Sequence, residues 1–364
     1  MLDKKPLDEF LKTKNLPGVV ALITSSSETL YESVFGYADT TKEVKATIDT
    51  PHAIMSMTKP ITSCAIMKLH EQGKLSLDDE ISNYFEEYKL TEVLSEVDLE
   101  TKEYSTEPLS KKPTIKNLLN HTSGYGYRFS NHTLRKICKM DETEFSLLHK
   151  PGEKWTYGAS TKILGDLVSK VEGEDLEQSL KRLVLDPLGM NETSFKPREN
   201  QAVPHRLENG NWVSTEKFPR IDAGDGGLIS TVKDYGKFLR CFLNKGDPIL
   251  SAEMVKEMTT NQIGDLWIET QPDANPALTC PFPLGGGEDK FGLGFQIHMC
   301  EKENERAPGS FSWCGLMNTF FWVDPRENIA CVLFMQTLPL YDPTCIETVK
   351  GFERILLDMI FVRF

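Results

Sequence analysis

The chain has 364 residues and a formal net charge of −13, with 39% apolar and 26% charged residues, a globular balance that excludes a disordered chain or a membrane-embedded one. The excess of acid repels phosphate backbones and anionic lipid, so neither nucleic acid nor a membrane is expected as a partner. The start, "MLDKKPLDEFLKTKNLPG", lacks a signal-like apolar run and no stretch reaches bilayer length, so a cytoplasmic location is expected. Cysteines at 64, 138, 241, 280, 300, 314, 331 and 345 show neither C-x-x-C spacing nor paired histidines. They predict buried thiols, with no metal, no cofactor and no disulfide framework.

In chain order, an amphipathic helix is expected around Pro6 to Thr13, followed by two strands, "GVVALITS" and "TLYESVFGYAD", joined at "SSE" as a hairpin. A helix opens at Ser56 with Ile61, Ala65 and Leu69 on one face and stops at Gly73. From there to about Arg220 the pattern reads as mostly helical, clearest in "PTIKNLLNHTSG", "GASTKILGDLVSKVEG" and "LEQSLKRLVLDPLGM". The polar stretch "SEVDLETKEYSTEPLSKKP" reads as loop. Strand signals return in "FGLGFQIHMC", "GSFSWCG", "NTFFWVDP" and "NIACVLFMQ", and the segment from Asp342 to Phe364 closes the chain as a helix. Strands at both ends with helices between them predict an α+β fold whose sheet is built from both termini. The sheet domain is expected over 1–75 and 221–364 and a mostly helical domain over 76–220, with the site in the cleft between them.

Ser56 and Lys59 are three residues apart at a helix start, near enough on one face for an amine to take a hydroxyl proton. The free N–H groups of a first helical turn also suit a developing oxyanion. Spacing alone does not single them out, because Ser214–Lys217 and Ser230–Lys233 repeat it. The first of these lies in a polar stretch, and the second reads as a helix cap. "GGGEDKFG" has no G-K-[ST] after it and reads as a flexible loop, and no G-x-S-x-G nucleophile elbow occurs.

What distinguishes Ser56 is its company: "GYAD", "SMTKPITSCAIMKLHEQGKLSLDDEISNY", "TIKNLLNHTSG", "PGEKWTYGASTKILGDLV", "DPLGMNETSF", "GDGGLISTVKDYGKFL", "FGLGFQI" and the "SWCG" strand, in that order. Together these resemble the serine β-lactamase-like superfamily over almost the whole chain, the fold shared by class C β-lactamases, penicillin-binding proteins and family VIII carboxylesterases. The resemblance implies a β-lactamase/DD-peptidase-like fold with Ser56 as nucleophile, Lys59 as its activator and Tyr157 as the partner base and proton donor. It places the oxyanion hole at the backbone N–H groups of Ser56 and Leu316. A phenolate beside a retained positive charge would be a competent base. His121 in "HTSG" is set aside as a base, since Lys59 and Tyr157 already fill that role.

Two motifs depart from the β-lactamase pattern. Tyr157 is followed by Gly158 and Ala159 where Y-x-N is usual, and Trp313-Cys314-Gly315 stands in place of K-T-G. Both changes remove polar anchors and leave an apolar-edged pocket, expected to involve Trp313, Cys314, Gly315, Ala159 and Tyr125 and to suit a small neutral ester. The W-x-G triplet looks like family VIII carboxylesterases, so hydrolysis of short-chain esters is the leading expectation. "GLMNTFFWVD" looks like related fungal acyltransferases, which makes transfer of a short acyl group to an alcohol the alternative. A weak β-lactamase or peptidase and a non-catalytic scaffold complete the readings.

Overall fold

The computed structural model describes residues 3–89, 92–137, 147–272, 275–303 and 305–361. Cys138 and the end of the last helix expected from the sequence lie outside them. The organising element is the strand Gly18–Thr24, buried along its whole length. It pairs antiparallel with Thr29–Asp39 on one side, Ile23 opposite Tyr31, and with Ile329–Phe334 on the other, Val20 opposite Phe334. The two ends of the chain thus meet in one sheet.

Eight antiparallel strands make that sheet, in the order Lys290–Phe291, Gln296–Ile297, Phe311–Gly315, Thr319–Asp324, Ile329–Phe334, Gly18–Thr24, Thr29–Asp39 and Val44–Lys45. Helices cover both faces. Leu22 points at the helix Val232–Leu243, whose Gly236 has no room for a side chain: a Cβ there would lie 2.8 Å from the Leu22 methyl. Ile23 and its cross-strand partner Tyr31 point the other way, where Tyr31 meets Phe352 of the helix Pro343–Phe361, ring centroids 5.8 Å apart. Period-two alternation in the central strands therefore feeds two separate apolar layers.

The expected α+β architecture, with an antiparallel sheet from both termini and a helical subdomain, is the one observed. Its central helix, Thr58–Glu71, is buried almost all round and packs against Ser160–Glu172. Two segments differ from the sequence reading. "SEVDLETKEYSTEP" is not loop but the hairpin Glu92–Val97/Tyr104–Pro108. Asp98 closes its turn by accepting the N–H groups of Glu100 and Thr101, at 2.7 and 3.1 Å, on its side chain. The region before Arg220 is not helical either: His205–Glu208 and Asn211–Ser214 form a second hairpin. Its turn is Asn209-Gly210, both at positive φ, the pairing a two-residue hairpin turn demands. Thr337–Leu338 adds a parallel third strand beside His205–Glu208.

Among the described residues, no helix is long and apolar enough to cross a membrane, and no group of acidic, histidine and cysteine side chains is arranged to hold a metal ion.

Candidate active site

Ser56 sits in a single 3₁₀ turn, Met55–Met57, that runs directly into the central helix. Met55 has φ +46°, a left-handed conformation that costs a side-chain-bearing residue about 1–2 kcal/mol. The surroundings hold it there. Ile54 N–H donates to Leu228 O at 3.0 Å, Thr319 Oγ1 to Ile54 O at 3.3 Å, Tyr235 Oη to Met57 O at 2.9 Å and Leu228 N–H to Thr58 Oγ1 at 3.3 Å. The turn is clamped between the large sheet and the Gly224–Leu228 loop.

Two side chains converge on the Ser56 hydroxyl. Tyr157 Oη donates to Ser56 Oγ at 2.7 Å, and Lys59 Nζ lies 3.4 Å from the same oxygen. Lys59 is 2% exposed although it carries an amine. Its Nζ donates to the backbone carbonyl of Asp225 at 2.6 Å and to Tyr127 Oη at 2.9 Å, and Tyr127 Oη in turn donates to the Asp225 carboxylate. A neutral amine has two N–H bonds and one lone pair. With both N–H bonds engaged by Asp225 O and Tyr127 Oη, the remaining tetrahedral direction is left for Ser56.

Burial brings that protonation state within reach. Burial lowers the Lys59 pKa to about 8, against a smaller upward pull from Asp225 and then Cys314. Burial pushes the Tyr157 phenol well above its ordinary value, only partly offset by its hydrogen bond with Ser56, and it does the same to Tyr127, where Asp225 adds to the rise. Both phenols therefore hold their protons, and the lysine is the first of the three to give one up as pH rises, near 8. His121 is buried at φ +57° with its ring 5.0 Å from that of Tyr157. Burial, and then Lys59, hold its imidazole well below the ordinary range, and its Nδ1 has no hydrogen-bond partner.

Ser56 opens onto two cavities. The larger, about 280 Å³, has Met55, Phe129, Phe195, Phe218, Ile221 and Leu316 among its walls, and Asp225, Lys217 and Gln336 as its polar groups of note. The smaller, a recess of about 10 Å³, is lined by Phe129, Tyr157, Phe282, Trp313, Cys314, Leu316 and Leu340. Of the pocket residues expected from the sequence, Trp313 and Cys314 line the smaller cavity; Leu316, expected for the oxyanion hole, lines both. Leu316 is held on a turn whose Asn318 side chain donates to Thr337 O, Thr337 Oγ1 and Pro339 O and accepts from Tyr341 N–H. Tyr125, Ala159 and Gly315 line neither cavity. Tyr125 packs edge-on to Tyr88, Ala159 is the N-cap of the helix Ser160–Glu172, and a Cβ on Gly315 would lie 2.2 Å from Ile54 O, so glycine there admits the Ser56 turn beside the strand. Tyr127, Asp225, Lys217 and Gln336 were not singled out from sequence for this site. Tyr127 and Asp225 lie in "SGYGYRF" and "GDGG", where nothing but the fold brings them to Lys59.

A serine flanked by a buried lysine and a tyrosine, on a helix running beneath an antiparallel sheet, defines a protein of the β-lactamase and serine-hydrolase superfamily, related to acyltransferases and penicillin-binding proteins. The chain belongs to the Beta-lactamase family, whose model matches residues 5–349, and that membership supports serine hydrolase or acyltransferase chemistry at the level of the superfamily. It is 29% identical over 358 residues to Protein Rv1367c of Mycobacterium tuberculosis (strain ATCC 25618 / H37Rv), covering 89% of this chain and 86% of that one. It is 26% identical over 385 residues to monacolin J acid methylbutanoyltransferase of Aspergillus terreus, covering 95% and 92%. A mutant form of simvastatin synthase from Aspergillus terreus superposes with a TM-score of 0.84 at 23% identity, covering 98% of each chain.

Proposed function

We propose that the protein is a serine acyltransferase that takes a short acyl group onto Ser56 and passes it to an alcohol. The observation that carries this is the Ser56 hydroxyl held between Tyr157 Oη at 2.7 Å and Lys59 Nζ at 3.4 Å, at the edge of an apolar chamber of about 280 Å³. Lys59, as the free amine, takes the Ser56 proton while Oγ bonds to the acyl carbonyl carbon. Tyr157 keeps its own proton in the resting site and passes one to the leaving group, with Lys59 resupplying it. The N–H groups of Ser56 and Leu316 receive the oxyanion. The recess at Trp313 and Phe282, about 10 Å³, is no larger than a water, so the larger chamber is the space that seats both a short acyl group and the acceptor.

The choice of alcohol over water departs from the leading sequence expectation, ester hydrolysis. It is supported by the named acyltransferase among the relatives, which matches 95% of the chain, and by a largely apolar chamber in front of Ser56 with room for more than water. Both outcomes share one acyl-enzyme and differ in what attacks it. The test is to mix the protein with p-nitrophenyl butyrate, with and without a panel of alcohols, and follow both butyrate and the new ester by mass spectrometry. A butyryl adduct on Ser56, lost in Ser56→Ala, and formation of the new ester are expected. An adduct discharged only to butyrate with every alcohol returns the protein to the esterases, and an adduct on another residue removes Ser56 from the mechanism.

A further inference from the structure

We infer that Phe129 is a specificity-determining residue, whose ring divides the space in front of Ser56 and sets how large a group can stand beside the ester carbonyl. The inference rests on an acyl-enzyme at Ser56, and not on whether water or an alcohol discharges it. Ser56, Phe129 and Leu316 line both the chamber of about 280 Å³ and the recess of about 10 Å³. Side chains that face two neighbouring spaces are the wall between them. Ser56 carries the reacting hydroxyl, so the partition proper is Phe129 on one side and Leu316 on the other.

The partition matters because of where the leaving oxygen has to be. Tyr157, the residue that gives that oxygen its proton, lines the recess and not the chamber. A recess the size of one water admits an oxygen there but no carbon chain behind it. The alcohol portion of the ester therefore turns back past Phe129 into the chamber, where the acyl chain also lies. The two groups share one space, and Phe129 sets their combined limit.

The other walls of the recess are committed elsewhere. Phe282 and Trp313 pack on the Tyr157 ring, with centroids 5.3 and 5.1 Å away, and Leu316 carries an N–H group assigned to the oxyanion. Phe129 stacks instead on Tyr127, centroids 5.0 Å apart and planes 28° from parallel. The Tyr127 hydroxyl is tied to Lys59 and Asp225, so the ring that supports Phe129 is itself fixed. The N–H groups of Ser130 and Asn131 both donate to Tyr127 O, at 3.2 and 2.9 Å, and this turn brings Phe129 round to Ser56. Phe129 is half-buried on that loop, so its size can change without opening the core.

The test measures kcat/KM for p-nitrophenyl esters from acetate to decanoate with the full-length wild type, Phe129→Ala and Phe129→Trp. The leaving group is constant, so the ratio of octanoate to butyrate within one preparation reports the space and cancels any loss of folded protein. In Phe129→Ala that ratio should rise about tenfold, what seating about two further methylenes is worth. In Phe129→Trp it should fall below the wild-type value. A role confined to supporting Tyr127 would lower every ester by one factor and shift the pH dependence, with the ratio left where it was. A ratio unmoved in both variants therefore overturns the inference. The acyl-enzyme reading is measured separately, as a butyryl adduct on Ser56 of the wild type. An adduct with an unmoved ratio leaves the acyl-enzyme standing and removes Phe129 as selector, whereas a shifted ratio without the adduct keeps Phe129 as the limiting wall and removes the Ser56 chemistry.

Discussion

Asp225→Asn isolates the role of the charge behind Lys59. The carboxylate reaches the amine through one bridging hydroxyl, that of Tyr127, which puts the two charges about 5 Å apart. At an effective dielectric of about 20, Coulomb's law gives about 3 kcal/mol for the ammonium form, or about 2 pKa units as an upper figure. The active form is the free amine, so kcat/KM rises with pH through the Lys59 pKa, near 8 in the wild type. Removing the negative charge destabilises the ammonium and moves that rise to lower pH, by about 1–2 units. The other groups facing Lys59 are Tyr127, Tyr157, Cys314 and His121. Burial keeps the first three protonated, with the Cys314 thiol pushed up to about 12, and His121 neutral, so none of them supplies a competing limb in this range. The ammonium that forms as Ser56 attacks also loses its counter-charge, so the plateau should drop by about tenfold, the effect of losing roughly half of that attraction in the transition state. The assay is the pH dependence of p-nitrophenol release from p-nitrophenyl butyrate. A lower plateau with an unmoved acid limb would refute the electrostatic argument and leave Asp225 a purely structural partner of Tyr127.

Lys59→Ala and Tyr157→Phe should each reduce kcat by about 10²–10⁴ with circular dichroism unchanged, and the double variant should fall well short of the product of the two losses; full multiplicativity would mean that they do not act as a unit. Asn318→Ala removes four hydrogen bonds made by a buried side chain, among them those to Thr337 O and from Tyr341 N–H. A loss of about 2–4 kcal/mol in urea unfolding is expected, and one below about 1 kcal/mol would show that the turn re-pairs without it. Gly158→Ala places a Cβ 2.0 Å from Tyr125 O and 2.5 Å from Gly126 Cα. The backbone carrying Tyr127 must then move, so activity should fall and the acid limb shift as it does in Asp225→Asn, and a variant with wild-type kinetics would break the link between Gly158 and Tyr127.

Elements with a strong local period were legible in the sequence. "GVVALITS", "NTFFWVDP" and "NIACVLFMQ" lie within a few residues of strands Gly18–Thr24, Thr319–Asp324 and Ile329–Phe334, since apolar runs bounded by turn residues have little else to become. The hairpin Glu92–Val97/Tyr104–Pro108 was not legible. Its outer face is polar, and its stability comes from cross-strand pairing and a closed turn rather than from a buried stripe. The hairpin at Asn209-Gly210 carried its signal in plain view, an N-G pair between short alternating runs, and was masked by helical segments read too far along the chain.

The candidate site divides along a similar line. Ser56 and Lys59 are adjacent in sequence and Tyr157 lies in a motif of its own, so the three residues around the hydroxyl could be assembled from their order. Tyr127 and Asp225 could not, because they reach Lys59 from two separate loops, and the loop of Tyr127 makes a close approach that only a glycine permits. The Tyr125–Gly126 backbone passes so near Gly158 that any side chain there would collide with it. In the Y-x-N pattern the third residue supplies an amide at this end of the site, and here it is Ala159, which has none. With Gly158 beneath it, the loop settles low enough for the Tyr127 hydroxyl to reach Lys59, and the Asp225 side chain fixes that hydroxyl from the opposite side. The polar partners of the buried amine come from two loops, and through Tyr127 they bring the Asp225 carboxylate to bear on Lys59.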